Sequence, residues 1–479
     1  MNLPVYRNYI NGRWVHGSTV GLDENPSELD APVGEYVRGS VADAEEAVEA
    51  AAAAQSVWAD CGVQRRADIL DAAGTELLAR KQELGLLLAR EEGKTLPEAV
   101  AEVARAGQIF KFFAGEALRI PGESLASVRP GVEVEIRREP VGVVGLITPW
   151  NFPMAIPAWK IAPALAYGNT VVFKPAELVP GCAWALADIL HRAGVPAGVF
   201  NMVMGSGRQV GQALVAHAQV DAVSFTGSTA VGRQIRDSAG RRGARVQLEM
   251  GGKNPLIVLD DADLEVAVNA AVNGAFFSTG QRCTASSRLI VQRGIHDRFV
   301  QAVKQRLSTL KVGNAVAQGV EMGPVVDAKQ LQTDLDYIRA GVEEGAKLLY
   351  GGDILPLSPR GHYLQPTLFA GAPSMRIARE EIFGPVAVVL PVGSFEQAMQ
   401  LANETEFGLC AGICTQSLKL ASQFKRQAAA GMVMVNLPTA GVDYHVPFGG
   451  RKASSAGPRE QGRHAVEFYT TVKTAYTAA

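Results

Sequence analysis

Two glycine-punctuated segments hold one thiol and one carboxylate: Cys283 in STGQRCTASSRLIV (278–291) and Glu249 in LEMGGKNP (248–255). Gly280 before the cysteine and Thr284, Ala285 and Ser286 after it are small, so a substrate carbon and backbone N–H groups can approach the sulfur closely. Glu249 stands at a similar backbone opening, just before Gly251 and Gly252. A nucleophilic thiol with a carboxylate base suggests covalent catalysis at an aldehyde carbon. Each residue by itself also has an ordinary reading, Cys283 as a small buried hydrophobe and Glu249 as a solvated charge at a helix end.

The elements that must position these groups alternate between strand and helix. The most apolar region, 141–173, is interrupted by Pro149, Pro153, Pro157 and Pro163 and carries Lys160, so it cannot be one membrane-spanning helix. It reads as a strand at 141–148, a helix at 156–167 and a strand at 170–173, a βαβ unit whose crossover makes the strands parallel. Ligands of such sheets bind outside the carboxyl ends of the strands, where PWNFP (149–153) and KPAE (174–177) fall. The alternation continues with a helix at 183–193, a strand at 199–203, a helix at 210–217 and a strand at 222–225. Long helices are expected before it, at 42–58, opened by a capping box of Ser40 and Asp43, and at 65–92.

A second α/β set is expected from the strand at 255–259, a helix at 263–276 and a strand at 287–291 behind the cysteine loop. The alternating 132–138 and the β-rich 466–475 can pair as a small sheet that joins subunits. The expected architecture is therefore α/β, with a dinucleotide-binding domain at 1–122 and 141–251, a catalytic domain at 252–445, and a bridging element at 123–140 and 446–479.

Composition agrees with a large soluble enzyme. A chain of 479 residues that is 47% hydrophobic with 50 glycines exceeds one core and suggests two or three domains. A net charge of −2, from 46 basic and 48 acidic residues, provides no field for nucleic acid. Five scattered cysteines make no disulfide framework and fit a reducing cytoplasm. Cys410 and Cys414 lack the neighbours that would complete a zinc site and read as packing residues, so no metal is expected. The N-terminal segment has polar residues and a hairpin turn at Asn11 and Gly12 where a signal peptide would need an apolar run.

No dinucleotide fingerprint of the GxGxxG type is present, because Gly205, Gly207 and Gly211 are spaced one residue too long. FTGSTAVG (225–232) continues into Arg233 and Gln234 where a P-loop needs Lys and Ser or Thr, which rejects an ATPase. Gly227 and Ser228, between a strand and a helix opening at Thr229, would aim free N–H groups and the helix dipole at a pyrophosphate, or simply cap that helix.

PWNFP, FKPAE (173–177), FTGSTAVG, LEMGGKNP, GQRC (280–283) and EEIFGPV (380–386) stand in an order that resembles the aldehyde dehydrogenase superfamily from end to end. The segments GQRCTASSRLIV and NLPTAGVDYHVPFGGRKASS are most similar to those of bacterial α-ketoglutaric semialdehyde dehydrogenases. The resemblance implies that Cys283 attacks the aldehyde, that the Asn151 side-chain amide and the Cys283 N–H hold the oxyanion, and that Glu249 activates water to hydrolyse the thioester, a step an acylating relative would not need. It implies NAD or NADP as cofactor, with Lys174 and Glu177 at the adenosine ribose, Gly227 and Ser228 at the pyrophosphate, Glu381 and Phe383 at the nicotinamide riboside, and Trp150, Gly207, Gly211 and Gly251 along the cleft. It also implies a homodimer or homotetramer.

Arg282, a cation at the mouth of the site, would pair with the distal carboxylate of a semialdehyde, or else brace its own loop against an acidic residue. Trp159, His445 and Phe448 resemble pocket-lining positions. Trp159 stands where some succinic semialdehyde dehydrogenases carry a second arginine, so that form of two-arginine clamp is not expected. The implied reaction is oxidation of α-ketoglutaric semialdehyde to 2-oxoglutarate. Succinic or glutaric semialdehyde, a broad aldehyde range, or thiol esterase chemistry that uses the dinucleotide fold only as structure are the alternatives.

Overall fold

Val143–Ile147 and Thr170–Lys174 are short, rich in valine and buried almost throughout, the pattern of strands covered on both faces. They pair in parallel, Val143 opposite Thr170, and the helix between them, Ala155–Ala166, is buried at every residue. In the computed structural model, which describes residues 3–17 and 19–478, they are the centre of an eight-stranded sheet. The domain limits 1–122 and 446–479 include residues 1, 2 and 479, which lie outside the described residues.

The five parallel strands of this sheet run, across the sheet, Phe200–Met202, Thr170–Lys174, Val143–Ile147, Ala222–Thr226 and Arg245–Glu249. The chain order reverses between Val143–Ile147 and Ala222–Thr226, the switch point at which such sheets open a crevice. The hairpin of Asn8–Ile10 and Arg13–Val15 closes one edge, turning at Asn11 (φ 49°) and Gly12 (φ 76°) as the Asn-Gly pair predicted. Ser455–Ala456 pairs antiparallel with Arg245–Glu249 at the other edge.

A second, seven-stranded sheet is built from the later chain, with Pro255–Val258 and Arg288–Gln292 at its centre, flanked by Cys410–Cys414 and Val386–Val392. Residues 252–254 and the 281–287 loop enter this sheet at the amino ends of its strands. The carboxyl ends of the first sheet therefore meet the amino ends of the second, and Glu249 and Asn254 are separated by only four residues of chain across that junction.

Two expectations need correction, and one helix is added to them. The 65–92 region is two helices, Val63–Ala79 and Lys81–Glu92, broken at Arg80, whose ψ of 12° lies outside the helical range. The tail begins as a helical turn at Val466–Tyr469 and becomes a strand only at Thr470–Ala478, which pairs with Val132–Pro140 over nine residues. The Leu96–Ala117 helix, 22 residues long, was not anticipated, although Thr95 and Glu98 form the same capping box that marked Ser40 and Asp43. Among the described residues no helix is long and apolar enough to cross a membrane.

Candidate active site

The loop that carries Cys283 is strained. Ser278, Thr279 and Gly280 are consecutive residues at φ 50°, 57° and 67°, and the left-handed region costs a β-branched residue such as Thr279 about 1–3 kcal/mol. Surrounding groups hold it there. Glu98 accepts from the Ser278 N–H at 3.0 Å and hydroxyl at 2.9 Å, Thr279 Oγ1 donates to the Gly323 carbonyl at 3.1 Å, and Gln281 Oε1 accepts from Val326 N–H at 2.9 Å. At Gly280 any Cβ would collide with the Gly384 carbonyl, which explains the glycine.

Asn151, in the loop after Val143–Ile147, is buried, and its Nδ2 donates to the Gln281 carbonyl at 2.9 Å. This bond uses one amide hydrogen and ties the asparagine to the residue two before Cys283, leaving the second hydrogen for a ligand. Lys94 Nζ donates to the Asn151 carbonyl at 2.6 Å and to Glu102 at 2.7 Å. The other Glu102 oxygen accepts from Met154 and Ala155 N–H groups, so the whole turn is fixed from the Leu96–Ala117 helix.

Glu249 ends its strand with a buried carboxylate that accepts from Ser455 Oγ at 2.5 Å and Gln247 Nε2 at 3.3 Å. Burial, and next the negative charge of Glu460, hold its pKa well above the ordinary carboxylate value, against Ser455, Lys160 and Arg459. Cys283 is pushed up to about 12, first by burial and then by Glu381 and Glu249. This shift favours the thiol over the thiolate, so the proton is to be lost as the sulfur attacks.

Two cavities lie beside Asn151 and Cys283. One, of about 230 Å³, is lined by Trp150, Asn151, Thr226, Gly227, Ser228, Met250, Gly251, Cys283, Glu381 and Phe383. Trp150 and Phe383 meet edge-on at 5.5 Å. Glu381 accepts from Gly252 N–H at 2.9 Å, burial raises its pKa to about 7, and a Cβ at Gly251 would collide with it. The other cavity, of about 390 Å³, is lined by the chain neighbours of the same two residues, Phe152, Arg282 and Thr284, together with Lys94, Glu98, Glu102 and Arg105.

A further cavity of about 620 Å³ contains Ile147, Gly207, Gly211, Val231 and Ile235. It and the Cys283 cavity flank the first turn of Thr229–Arg241, which Ser228 caps by accepting from Val231 N–H at 3.4 Å. Both lie at the switch point, and Thr226 Oγ1 is buried beside them with no partner among the described residues. These features fit an extended dinucleotide whose pyrophosphate crosses the helix N-terminus. Lys174 is buried, donates to the Pro175 carbonyl at 2.8 Å and is lowered to about 8 by desolvation, while Glu177 accepts from the Tyr36 hydroxyl at 3.3 Å.

The substrate-side positions divide. Phe448 packs in one apolar cluster with Cys283 and stacks on Trp159 at 5.3 Å, whereas His445 is exposed and meets Tyr444 edge-on. Arg282 is in the cavity wall, but it already pairs with Glu98 at 2.8 Å and reaches Asn273 at 3.4 Å. This is the bracing alternative raised from the sequence. Lys94, Glu98, Glu102, Arg105, Lys160, Ser455 and Glu460 were not singled out as site residues. For the residues on Leu96–Ala117 the Thr95–Glu98 capping box was the available signal, and for Lys160 it was a lysine inside an apolar run. Among the described residues no cluster fit for a metal ion occurs, and Cys410 and Cys414 are buried, unpaired strand residues.

The chain matches the aldehyde dehydrogenase family over residues 14–475. It is 46% identical over 478 residues to the alpha-ketoglutaric semialdehyde dehydrogenase of Bacillus subtilis (strain 168), covering 98% of each chain. Against the 2,5-dioxopentanoate dehydrogenase of Saccharolobus solfataricus the identity is 43% over 469 residues, 97% of this chain and 98% of that one. A betaine aldehyde dehydrogenase from Staphylococcus aureus, solved in complex with NAD+, has a TM-score of 0.96 at 35% identity over 99% of this chain and 94% of that one.

Proposed function

The chain belongs to the aldehyde dehydrogenase family, and from that premise we propose that it oxidises α-ketoglutaric semialdehyde to 2-oxoglutarate with NAD+ or NADP+, releasing the free acid. The observation that carries this reading is that Asn151 and Cys283 line the cavity at the sheet's switch point, while their chain neighbours Phe152, Arg282 and Thr284 line a second cavity that holds three cations. Lys94, Arg105 and Arg282 outnumber Glu98 and Glu102 in that cavity, which suits an anionic aldehyde and opposes a quaternary ammonium one.

The Cys283 thiol proton passes to solvent water as the sulfur bonds to the aldehyde carbon, and the resulting oxyanion is stabilised by the spare Asn151 Nδ2 hydrogen and the Cys283 N–H. A nicotinamide held in the cleft would accept the hydride that leaves the former aldehyde carbon, and a thioester would remain on Cys283. Glu249, kept basic by burial, takes a proton from water as the water attacks the thioester carbon, and the thiol leaves. The carboxylic acid is thus set free without coenzyme A. Residues 1–122 and 141–251 carry the dinucleotide and 252–445 the thiol, and the Thr470–Ala478 strand, paired on one side with Val132–Pro140, leaves its other edge open for assembly into a homodimer or homotetramer. The five unpaired cysteines support a reducing cytoplasm.

The test is formation of NADH and of NADPH by the purified protein with α-ketoglutaric semialdehyde, succinic semialdehyde and hexanal in parallel. A large kcat/KM advantage for the five-carbon semialdehyde is expected. Hexanal used equally well overturns the substrate assignment and leaves a general aldehyde dehydrogenase.

A further inference from the structure

Arg105 lies on Leu96–Ala117, three residues beyond Glu102 and seven beyond Glu98, so the three side chains share one helix face against the 390 Å³ cavity. The other cations there are engaged. Lys94 is held by Glu102 at 2.7 Å and the Asn151 carbonyl at 2.6 Å, and Arg282 by Glu98 at 2.8 Å. The two carboxylates are equally committed. Both Glu102 oxygens are used, by Lys94 and by the Met154 and Ala155 N–H groups, and Glu98 also serves Ser278 and the Thr95 cap.

Arg105 alone is left over. It makes no hydrogen bond or ion pair among the described residues, and its Nε is sealed from solvent without a partner. Burial pulls its pKa down in spite of the negative charges of Glu102 and Asp443, so the surroundings undercompensate the cation. A half-buried arginine whose Nε is sealed off without a partner is costly unless something anionic completes it, and a guanidinium matches a carboxylate through two parallel N–H bonds.

We propose that Arg105 is the specificity-determining residue that receives the distal carboxylate of the substrate, while Arg282 braces the nucleophile loop through Glu98. This rests on the semialdehyde reading given above. Thr284 and Arg282, on either side of Cys283, line the same cavity as Arg105, so an aldehyde at the sulfur can extend its tail toward the guanidinium.

The experiment compares wild type, Arg105→Leu and Arg105→Lys for kcat/KM on α-ketoglutaric semialdehyde and on hexanal, with glutarate as a competitive inhibitor of hexanal oxidation. Arg105→Leu is expected to lose about 10- to 100-fold on the semialdehyde, the worth of a charged hydrogen-bonded pair, chiefly through KM. Hexanal turnover should be kept or improved, glutarate inhibition should weaken, and Arg105→Lys should recover part of the loss. A semialdehyde preference that survives Arg105→Leu overturns the role of Arg105 and leaves the substrate reading intact. A wild-type enzyme with no such preference overturns both. An equal loss on hexanal shows a structural arginine and overturns the proposal, and if the leucine variant does not fold, unchanged glutarate inhibition in Arg105→Lys does the same.

Discussion

The carboxylate of Glu98 meets the guanidinium of Arg282 at 2.8 Å, and the same oxygen accepts from the Ser278 N–H and hydroxyl. One side chain thereby caps a helix, holds a left-handed turn and fixes the residue before the nucleophile. Glu98→Ala removes all of these bonds at once. Since misplacing a reacting group by about an ångström costs on the order of 100-fold, kcat on any aldehyde is expected to fall by about that factor, with a loss of about 2 kcal/mol from the cap and loop bonds. Turnover of hexanal and urea unfolding of the variant measure the two effects separately.

Asn151→Ala leaves the Gln281 carbonyl without its donor and takes away the spare amide hydrogen. Transition-state stabilisation should drop by about 3 kcal/mol, or roughly 100- to 1,000-fold in kcat, with KM little changed. A change confined to KM would show that Asn151 only shapes the cavity.

Glu249→Gln should permit acylation while hindering hydrolysis, so intact-mass measurement after mixing with aldehyde and cofactor is expected to find an acyl adduct on the variant. Glu249 must be deprotonated to act, and its pKa is raised. The wild-type rate of thioester hydrolysis should therefore climb with pH through a limb above the usual carboxylate range of about 4.3, and fall as pH drops through it. The glutamine variant should lose that limb.

Lys160 is fully buried against Glu460, with Ser224 Oγ at 2.7 Å. Glu460→Gln strands that ammonium and should destabilise the protein by about 3–5 kcal/mol in denaturant titrations. The same change removes a negative charge that raises the Glu249 pKa, so in the surviving folded enzyme the limb over which hydrolysis climbs with pH should move to lower pH.

Asp334 is buried under the EEIFGPV turn, with one oxygen bonded to Gln330 and the other unpartnered, and desolvation raises its pKa to about 8. The folded state therefore binds its proton more tightly than the unfolded chain. Its contribution to stability is complete below the unfolded value of about 3.9 and is lost as pH rises through about 8. Asp334→Asn should be more stable than wild type at pH 9, with the gap narrowing toward pH 5, as thermal unfolding across that range would show.

Periodicity, glycine and proline punctuation and local capping chemistry act over a few residues, and these were legible in the chain itself. They predicted the strands at 141–148, 170–173 and 222–225, which form at 143–147, 170–174 and 222–226, together with the Ser40 cap, the Asn11–Gly12 turn and the pairing of 132–138 with the tail. The same glycine-rich segments pointed to Cys283 and Glu249, because a reactive side chain needs an open backbone whatever surrounds it. What only the tertiary structure decided are relationships set by packing between distant segments. Lys160 meets Glu460 across 300 positions, and Arg282 is neutralised by Glu98 across 184. The carboxyl ends of one sheet face the amino ends of the other, and among the described residues Arg105 is left without a partner in the cavity beside Arg282. Charge on a residue is written in its type, but whether that charge is already spent depends on which neighbours burial brings within reach.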